Sequence, residues 1–494
     1  MEVARSNRGI SRRSFTGAVG SGAAVAAVGV GVSVSGAQPA QSVEASGEPE
    51  ERAFKAATHR TSKRPNILFI LADDLGYADL SCFGARHIST PNLDRLAAQG
   101  LRFTDGYAGS SSCSPTRLSL YTGRYPGRIR AGLEEPIEDT DRTGLDPTHP
   151  TLASLLRDAG YTTAMIGKWH CGVLPDYAPT KSGWQEFFGN FGGSLEYYSK
   201  LTTNGSYDLY EGETTVKDLR YYTNILAERA SDFVRRKHDR PWLLNLNFTA
   251  AHWPFIAEGD REEAARLEKL VRELPPSKAR LALAHLDGGS LDTYRKMIEG
   301  MDRAIGQILK ALDRSGQARD TMVLFSSDNG GERFAYSWPF AGIKGTLQEG
   351  GIRVPNILRW PARINSHQVS RVPVFTPDWT ATLLEVAGAR PAPDTPLDGA
   401  SLAGYLLRGE AAPQRDLFWR KGSERALRRG KWKYHRSDAP KIPPNKGKDV
   451  LFDLAADPSE CADKSAQEPA LLNDLKAAWE KIDATLLPYP DPAL

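Results

Sequence analysis

The sequence predicts an α/β protein: a mostly parallel central sheet sandwiched by helices, followed by a smaller C-terminal α+β subdomain containing an antiparallel sheet. Three observations predict it. Continuous apolar runs such as Pro65-Asn66-Ile67-Leu68-Phe69-Ile70-Leu71-Ala72 suit strands buried on both faces of a parallel sheet. Such runs alternate with segments of helical periodicity. After the Pro-rich stretch Pro391 to Pro396 the texture changes to short strand candidates and one last helix. The chain has 494 residues, 40% of them hydrophobic, which suffices for one large core and a smaller one.

In chain order, Ser11-Arg12-Arg13-Ser14-Phe15-Thr16 precedes an Ala/Gly/Val run from Gly17 to Val34, with small residues at Ser35 and Ala37. That is the pattern of a twin-arginine signal peptide over 1–37, which predicts use of the Tat export machinery and a periplasmic or secreted destination. Five glycines in the run lower its hydrophobicity and helix propensity, so no stable membrane span is expected. Residues 38–62 hold little to bury and are expected to be a disordered linker. The catalytic domain is placed at 63–400. Its first strand ends at Asp73-Asp74, beyond the carboxyl end where open α/β sheets collect ligands. Thr151 to Ala159 reads as a helix leading into the strand Thr162 to Ile166, which ends at Gly167-Lys168-Trp169-His170. Pro241 to Phe248 is a strand ending near His252. Tyr294 to Leu312 has the spacing of an amphipathic helix, and the strand Thr321 to Phe325 after it ends at Asp328-Asn329. In the C-terminal subdomain, 401–494, strands are expected at Leu417 to Trp419, Ala426 to Leu427, Lys431 to His435 and Val450 to Phe452, with a helix near Glu468 to Thr485.

A net charge of +3 against 63 basic and 60 acidic residues creates no field that calls for nucleic acid or an acidic membrane. Four cysteines, Cys82, Cys113, Cys171 and Cys461, are too few and scattered for a disulfide scaffold or zinc cluster. Cys113 opens Cys113-Ser114-Pro115-Thr116-Arg117, followed by Tyr121-Thr122-Gly123-Arg124. Serine and proline in this order mark a helix start, which places Cys113 just before a helix N-terminus, where free N–H groups suit an anion. Arg117 in the first turn would reach the same place. The plain alternative is a small buried cysteine beside a cap.

With its extension to Thr-Gly-Arg, this segment resembles the signature of type I sulfatases, the formylglycine-dependent family within the alkaline phosphatase superfamily, of the arylsulfatase and N-acetylgalactosamine-6-sulfatase kind. The resemblance runs from about Asn66 to Asp463 and includes Thr90-Pro91-Asn92-Leu93-Asp94, Leu451-Phe452-Asp453-Leu454 and Asp457-Pro458. It implies that a formylglycine-generating enzyme oxidises Cys113. Of the two hydroxyls on the hydrated aldehyde, one attacks sulfur, and deprotonation of the other then expels sulfate.

Asp73, Asp74, Asp328 and Asn329 offer only oxygen ligands, the preference of calcium or magnesium. Taken separately, such residues are more often turn or cap residues. They match the acidic pairs of the sulfatase metal site, where modified Cys113 also coordinates calcium. Lys168 and His170, two apart on an extended backbone, are expected to point the same way. The resemblance makes them holders of the formylglycine hydroxyl, with His170 the base for sulfate elimination. It makes His252, in His-Trp-Pro, and Lys344, in Lys-Gly-Thr-Leu-Gln-Glu-Gly-Gly-Ile-Arg, the groups that grip sulfate and help protonate the leaving alcohol. Cys171 departs from the family and is expected to be a buried neutral thiol.

The implied function is an exported sulfuric ester hydrolase acting on a sulfated sugar or polysaccharide. The alternatives are a phosphonate or phosphodiester hydrolase of the same superfamily and an inactive glycan-binding homologue. Tyr197, Tyr198, Tyr207 and Tyr210 lie in an aromatic loop suited either to stacking on sugar rings or to packing as a lid.

Overall fold

Alternation along the first strand, β1 (Asn66–Ala72), divides the protein interior in two. Successive side chains of a strand point to opposite faces, and in β1 both faces are covered. Leu68, Ile70 and Ala72 join one buried apolar cluster and Ile67, Phe69 and Leu71 a second. The computed structural model describes residues 64–139, 142–438 and 447–490, which fall within one compact unit, Ala53–Leu494. The signal peptide expected at 1–37 and the linker expected at 38–62 lie outside the described residues.

The remaining strands of the large sheet are β2 (Leu101–Phe103), β3 (Thr162–Lys168), β4 (Glu186–Asn190), β5 (Tyr210–Glu211), β6 (Thr214–Thr215), β7 (Trp242–Asn247), β8 (Thr321–Ser327), β9 (Asn356–Arg359) and β10 (Gln368–Ser370). Their order is β10-β2-β9-β8-β1-β7-β3-β4-β5-β6. The five strands from β8 to β4 run parallel, and antiparallel β9 and β5 flank them. Both β3 and β8 run two residues past their expected ends, because pairing with the neighbouring strand continues to Gly167 and to Ser327. Gly167 has φ +106°, and a Cβ there would collide with the carbonyl of Asn247, so only glycine lets β3 lie against β7 at this point.

Helices cover both faces. Helix α1 (Cys113–Thr122), α2 (Leu152–Asp158) and α5 (Thr376–Ala387) pack over the Phe69 side, and α3 (Tyr222–Arg235) and α4 (Leu291–Arg314) over the Leu68 side. Helix α4 begins three residues before its first expected position. Ser290 accepts from the Thr293 amide, and this cap adds a turn ahead of the apolar stripe of Tyr294, Met297, Ile298, Met301, Ile305 and Leu309. No helix among the described residues is long and apolar enough to cross a membrane.

The C-terminal strands β11 (Leu417–Lys421), β12 (Glu424–Arg429), β13 (Trp432–Arg436) and β14 (Asp449–Asp453) form an antiparallel sheet in consecutive order, backed by α6 (Pro469–Asp483). Trp419, Leu427, Tyr434 and Trp479 form a third apolar cluster, completed by Tyr107, Leu347 and Phe375 from the larger domain. Its aromatic rings, Tyr107 and Phe375 against Trp419 at 5.3 and 5.2 Å, join the two parts.

His435 of β13 is buried, and burial, with the Lys433 charge second, pushes its pKa down to about 3. The unfolded value is near 6.5. The folded state therefore holds the imidazole neutral, and the stability this contributes is complete above about pH 6.5 and lost as pH falls towards the folded pKa. The thermal midpoint should fall as pH is lowered from about 7 to about 4, and His435→Gln should make that fall shallower; parallel slopes would clear His435 of any part in it.

Candidate active site

Four parallel neighbours, β8, β1, β7 and β3, end on the same edge of the sheet, and each delivers part of one site. From β1 come Asp73 and Asp74, from β8 Asp328 and Asn329, from β3 Lys168 and His170, and from the loop after β7 His252. Asp74 and His170 adopt left-handed backbone conformations, φ 59° and 54°, which non-glycine residues seldom hold outside constrained sites. The turn at His170 corrects the expectation that its side chain and that of Lys168 point the same way. Lys168 Nζ lies 2.5 Å from Asp73 Oδ2, within the site. The His170 ring instead lines the cleft above, its Nε2 donating to the Ile137 carbonyl at 3.0 Å. Its other ring nitrogen, Nδ1, is buried without a partner.

Cys113 is the first residue of α1 and not the residue before it, because Ser112 is the extended N-cap. Ser114, expected to cap, instead accepts from the Ile137 amide at 2.8 Å. Cys113 Sγ lies 3.5 Å from Asp73 Oδ1 and 3.8 Å from Asp74 Oδ1. Burial pushes its thiol well above the ordinary cysteine range, against the lowering pull of Lys168 and Lys344. The thiol is thus protonated and a poor nucleophile. Arg117 is buried one helical turn on, and its guanidinium meets Asp328 Oδ2 through Nη2 at 2.8 Å and Nε at 3.1 Å, and the Lys168 carbonyl through Nη1 at 3.0 Å. It serves the carboxylates rather than standing free for an incoming anion.

Asp74 and Asp328 differ in proton affinity. Burial raises the Asp74 pKa, but Lys344, His252 and Lys168 outweigh it and hold the carboxyl well below the usual range. Asp328 is pushed up to about 6, by burial first and the Asp73 charge second. Burial, then the Lys344 charge, pushes His252 down to about 3, so its imidazole is neutral, with Nδ1 donating to the Trp253 carbonyl at 2.7 Å and Nε2 3.7 Å from Asp74 Oδ2. His170 is likewise held neutral, by burial and then Lys168. Lys344 Nζ lies 2.7 Å from Asp74 Oδ2.

Donor atoms of Asp73, Asp74, Cys113 and His252 lie within 4.8 Å of one another. Asn329 donates through Nδ2 to Asp74 Oδ1 at 2.7 Å, while its Oδ1 is buried with no partner. A buried amide oxygen without a donor is costly, and a hard cation beside these carboxylates would satisfy it. The oxygen donors of Asp73, Asp74 and Asn329 fit a calcium- or magnesium-type ion, and the Cys113 sulfur and His252 nitrogen lie beside them.

The chain matches the family model described as Sulfatase over residues 65–389. The chain belongs to the sulfatase family. It is 30% identical to arylsulfatase J of Mus musculus, over 88% of this chain and 79% of that one. It is 31% identical to N-acetylgalactosamine-6-sulfatase of Rattus norvegicus, over 75% and 71%. Among solved structures, Ps i-CgsB in complex with k-i-k-neocarrahexaose aligns with TM-score 0.73 and 31% identity, covering 85% of this chain and 92% of that one. The expected alkaline phosphatase-like fold and sulfuric ester hydrolase class are those of this sulfatase.

The structure of the sulfatase brings all ten expected site residues to one edge of the sheet and adds walls that the sequence did not signal. Ile137, Asp139, Gly193, Trp253 and Arg280 line the cleft with Cys113, His170, His252 and Lys344. At Gly193 a Cβ would meet His170 Nε2 at 2.6 Å, so glycine is needed for that wall to close on the ring. The aromatic loop is packed: Tyr197 is buried, and its hydroxyl donates to the carbonyls of Thr249 and His252, which fixes the His252 loop. Cys171 is fully buried, and burial holds its thiol protonated.

Arg117→Ala would leave Asp328 buried without its cation. Loss of one partner of such a pair costs about 3–5 kcal/mol, so denaturant unfolding should show a destabilisation of that size; a change under about 1 kcal/mol would mean that Lys168 or solvent compensates.

Proposed function

We propose that this sulfatase is exported and removes sulfate from a sulfated sugar or polysaccharide, using a formylglycine made from Cys113 and a calcium ion, or magnesium, held by Asp73, Asp74, Asp328, Asn329 and the modified residue. The observation that carries the reading is the state of Cys113. It lines the cleft, yet its thiol is buried 3.5 and 3.8 Å from the Asp73 and Asp74 carboxylates, surroundings that disfavour a thiolate nucleophile and support a reading in which the side chain acts after conversion. Formylglycine supplies a hydroxyl nucleophile that can be released again as an aldehyde, and the cation supplies positive charge for the sulfate oxygens.

The chain's own residues do the rest. Lys344 and Arg280 contribute positive charge to the cleft, and Lys168 and Arg117 compensate the carboxylates beneath it. His170, neutral and with an unpartnered Nδ1, is the acceptor for a hydroxyl proton. Lys344, an ammonium at the cleft, is the donor for the leaving oxygen, while His252, neutral with its Nδ1 proton held by the Trp253 carbonyl and its loop fixed by the Tyr197 hydroxyl, presents an unprotonated Nε2 beside it. Substrate in the cleft would meet Trp253 and Arg280, a surface suited to a sulfated sugar. The carbohydrate bound to the similar Ps i-CgsB supports that substrate class. Export rests on Ser11-Arg12-Arg13-Ser14-Phe15-Thr16 and the apolar run after it.

Enzyme whose residue 113 is shown by peptide mass to be converted should release inorganic sulfate from one class of sulfated glycan and leave a phosphodiester intact. Cys113→Ala should abolish release while keeping the wild-type melting profile, and full activity in that variant would rule out the formylglycine. Cleavage of the phosphodiester alone would favour the phosphonate or phosphodiester hydrolase reading. Asn329→Ala should weaken calcium binding in a calorimetric titration, and an unchanged isotherm would remove Asn329 from the cation site.

A further inference from the structure

Lys344 sits in a turn outside any helix or strand, so its position depends on what holds the backbone on either side. On one side the ties are internal to the site. The Lys344 amide donates to the Gly331 carbonyl at 2.9 Å, and the Gly345 amide to the Ser111 carbonyl at 2.8 Å, which fastens the turn to the Asn329 loop and to the approach to Cys113. On the other side two further ties come from the small subdomain, beside backbone bonds such as that from the Gly350 amide to the Ala341 carbonyl. The Leu347 amide donates to Glu424 Oε2 at 2.8 Å, from the first residue of β12, and the Glu349 amide donates to Glu460 Oε2 at 2.6 Å.

These carboxylates are themselves held. Ser437 donates to Glu424 Oε1 at 3.1 Å. Lys433 of β13, fully buried, lies 2.8 Å from Glu460 Oε1 and 2.9 Å from Glu349 Oε1. The second oxygen of Glu349 accepts from the Tyr107 hydroxyl at 2.6 Å and from Arg353 at 3.1 Å. Burying one lysine between two glutamates is expensive, and apolar packing would join the two parts of the protein at less cost. What the charged arrangement adds is direction: each glutamate accepts from one particular backbone amide of the Lys344 turn.

We propose that Glu424 and Glu460, with Lys433 locking Glu460, are positioning residues for the sulfatase reaction, through which the C-terminal sheet sets where the Lys344 ammonium meets sulfate. The inference rests on the reading of Lys344 as a sulfate-binding group. A displacement of about 1 Å at a reacting centre can cost about 100-fold in rate, and each of these carboxylates restrains the turn within five residues of Lys344.

The test compares Glu424→Ala, which removes the acceptor of the Leu347 amide, with Glu424→Gln, which keeps it. All proteins carry a fully converted residue 113. Glu424→Ala should lower kcat/KM for the sulfate ester about 10-fold or more and weaken competitive inhibition by inorganic sulfate in parallel. Glu424→Gln should restore both to within about threefold of wild type. Should the alanine variant fail to fold, Glu424→Asp, one methylene shorter, withdraws the acceptor while keeping the charge and is judged in the same way. A variant that melts earlier but matches wild type in both kinetic readouts would reduce Glu424 to a structural tie and overturn the proposal. If wild type releases no sulfate from any ester, the reading of Lys344 and the inference fall together; a working wild type with an unaffected alanine variant sinks the inference alone.

Discussion

Repulsion among three buried carboxylates is the constraint around which this site is built. Asp73, Asp74 and Asp328 lie at the ends of adjacent strands in a medium of low dielectric, and burial first, with the Asp73 charge second, pushes Asp328 up. The chain answers with cations from three separate segments. Arg117 rises from the first turns of α1, Lys168 from the end of β3 and Lys344 from a turn near the C-terminal sheet. Placing each cation fixes a further part of the machinery. The arginine sets α1 and hence Cys113, the lysine of β3 precedes the backbone reversal at His170, and the third draws in the small subdomain.

Burial first, and the neighbouring cations second, explain why both histidines stay neutral. They stand among cations in a buried site, so protonation would add positive charge where it is already plentiful. A neutral imidazole can accept or relay a proton near neutral pH, which an imidazolium cannot.

Much of this was legible in the sequence, for a physical reason. Parallel strands buried on both faces read as unbroken apolar runs, and polar residues at their ends stand out against them, so Asp73, Asp74, Lys168, Asp328 and Asn329 announced both the strands and the site edge. The Cys113 segment was legible through residue types needed at a helix start, although the start was misplaced by the competing use of Ser114. Other features were hidden. Nothing in local pattern marks Ile137 as the carbonyl that orients His170, or Lys433 as a partner of Glu349, because these contacts join segments far apart in the chain. The tyrosine-rich loop was ambiguous by composition, since an aromatic residue with a hydroxyl serves equally for packing and for binding; the burial of Tyr197 decides for packing.

The division of β1 between two interiors has an evolutionary consequence. A one-residue slip in the register of that strand would send every side chain to the opposite face, exchanging the contents of both cores at once and moving Asp73 and Asp74 off the edge. The strand is therefore frozen in length and register, whereas the surface segments joining strands to helices can lengthen, shorten or change composition at small cost. Diversification of this scaffold towards new esters is thereby channelled into the cleft walls that hold no part of the hydrolytic centre, such as those carrying Asp139 and Arg280, while that centre stays where the strands end.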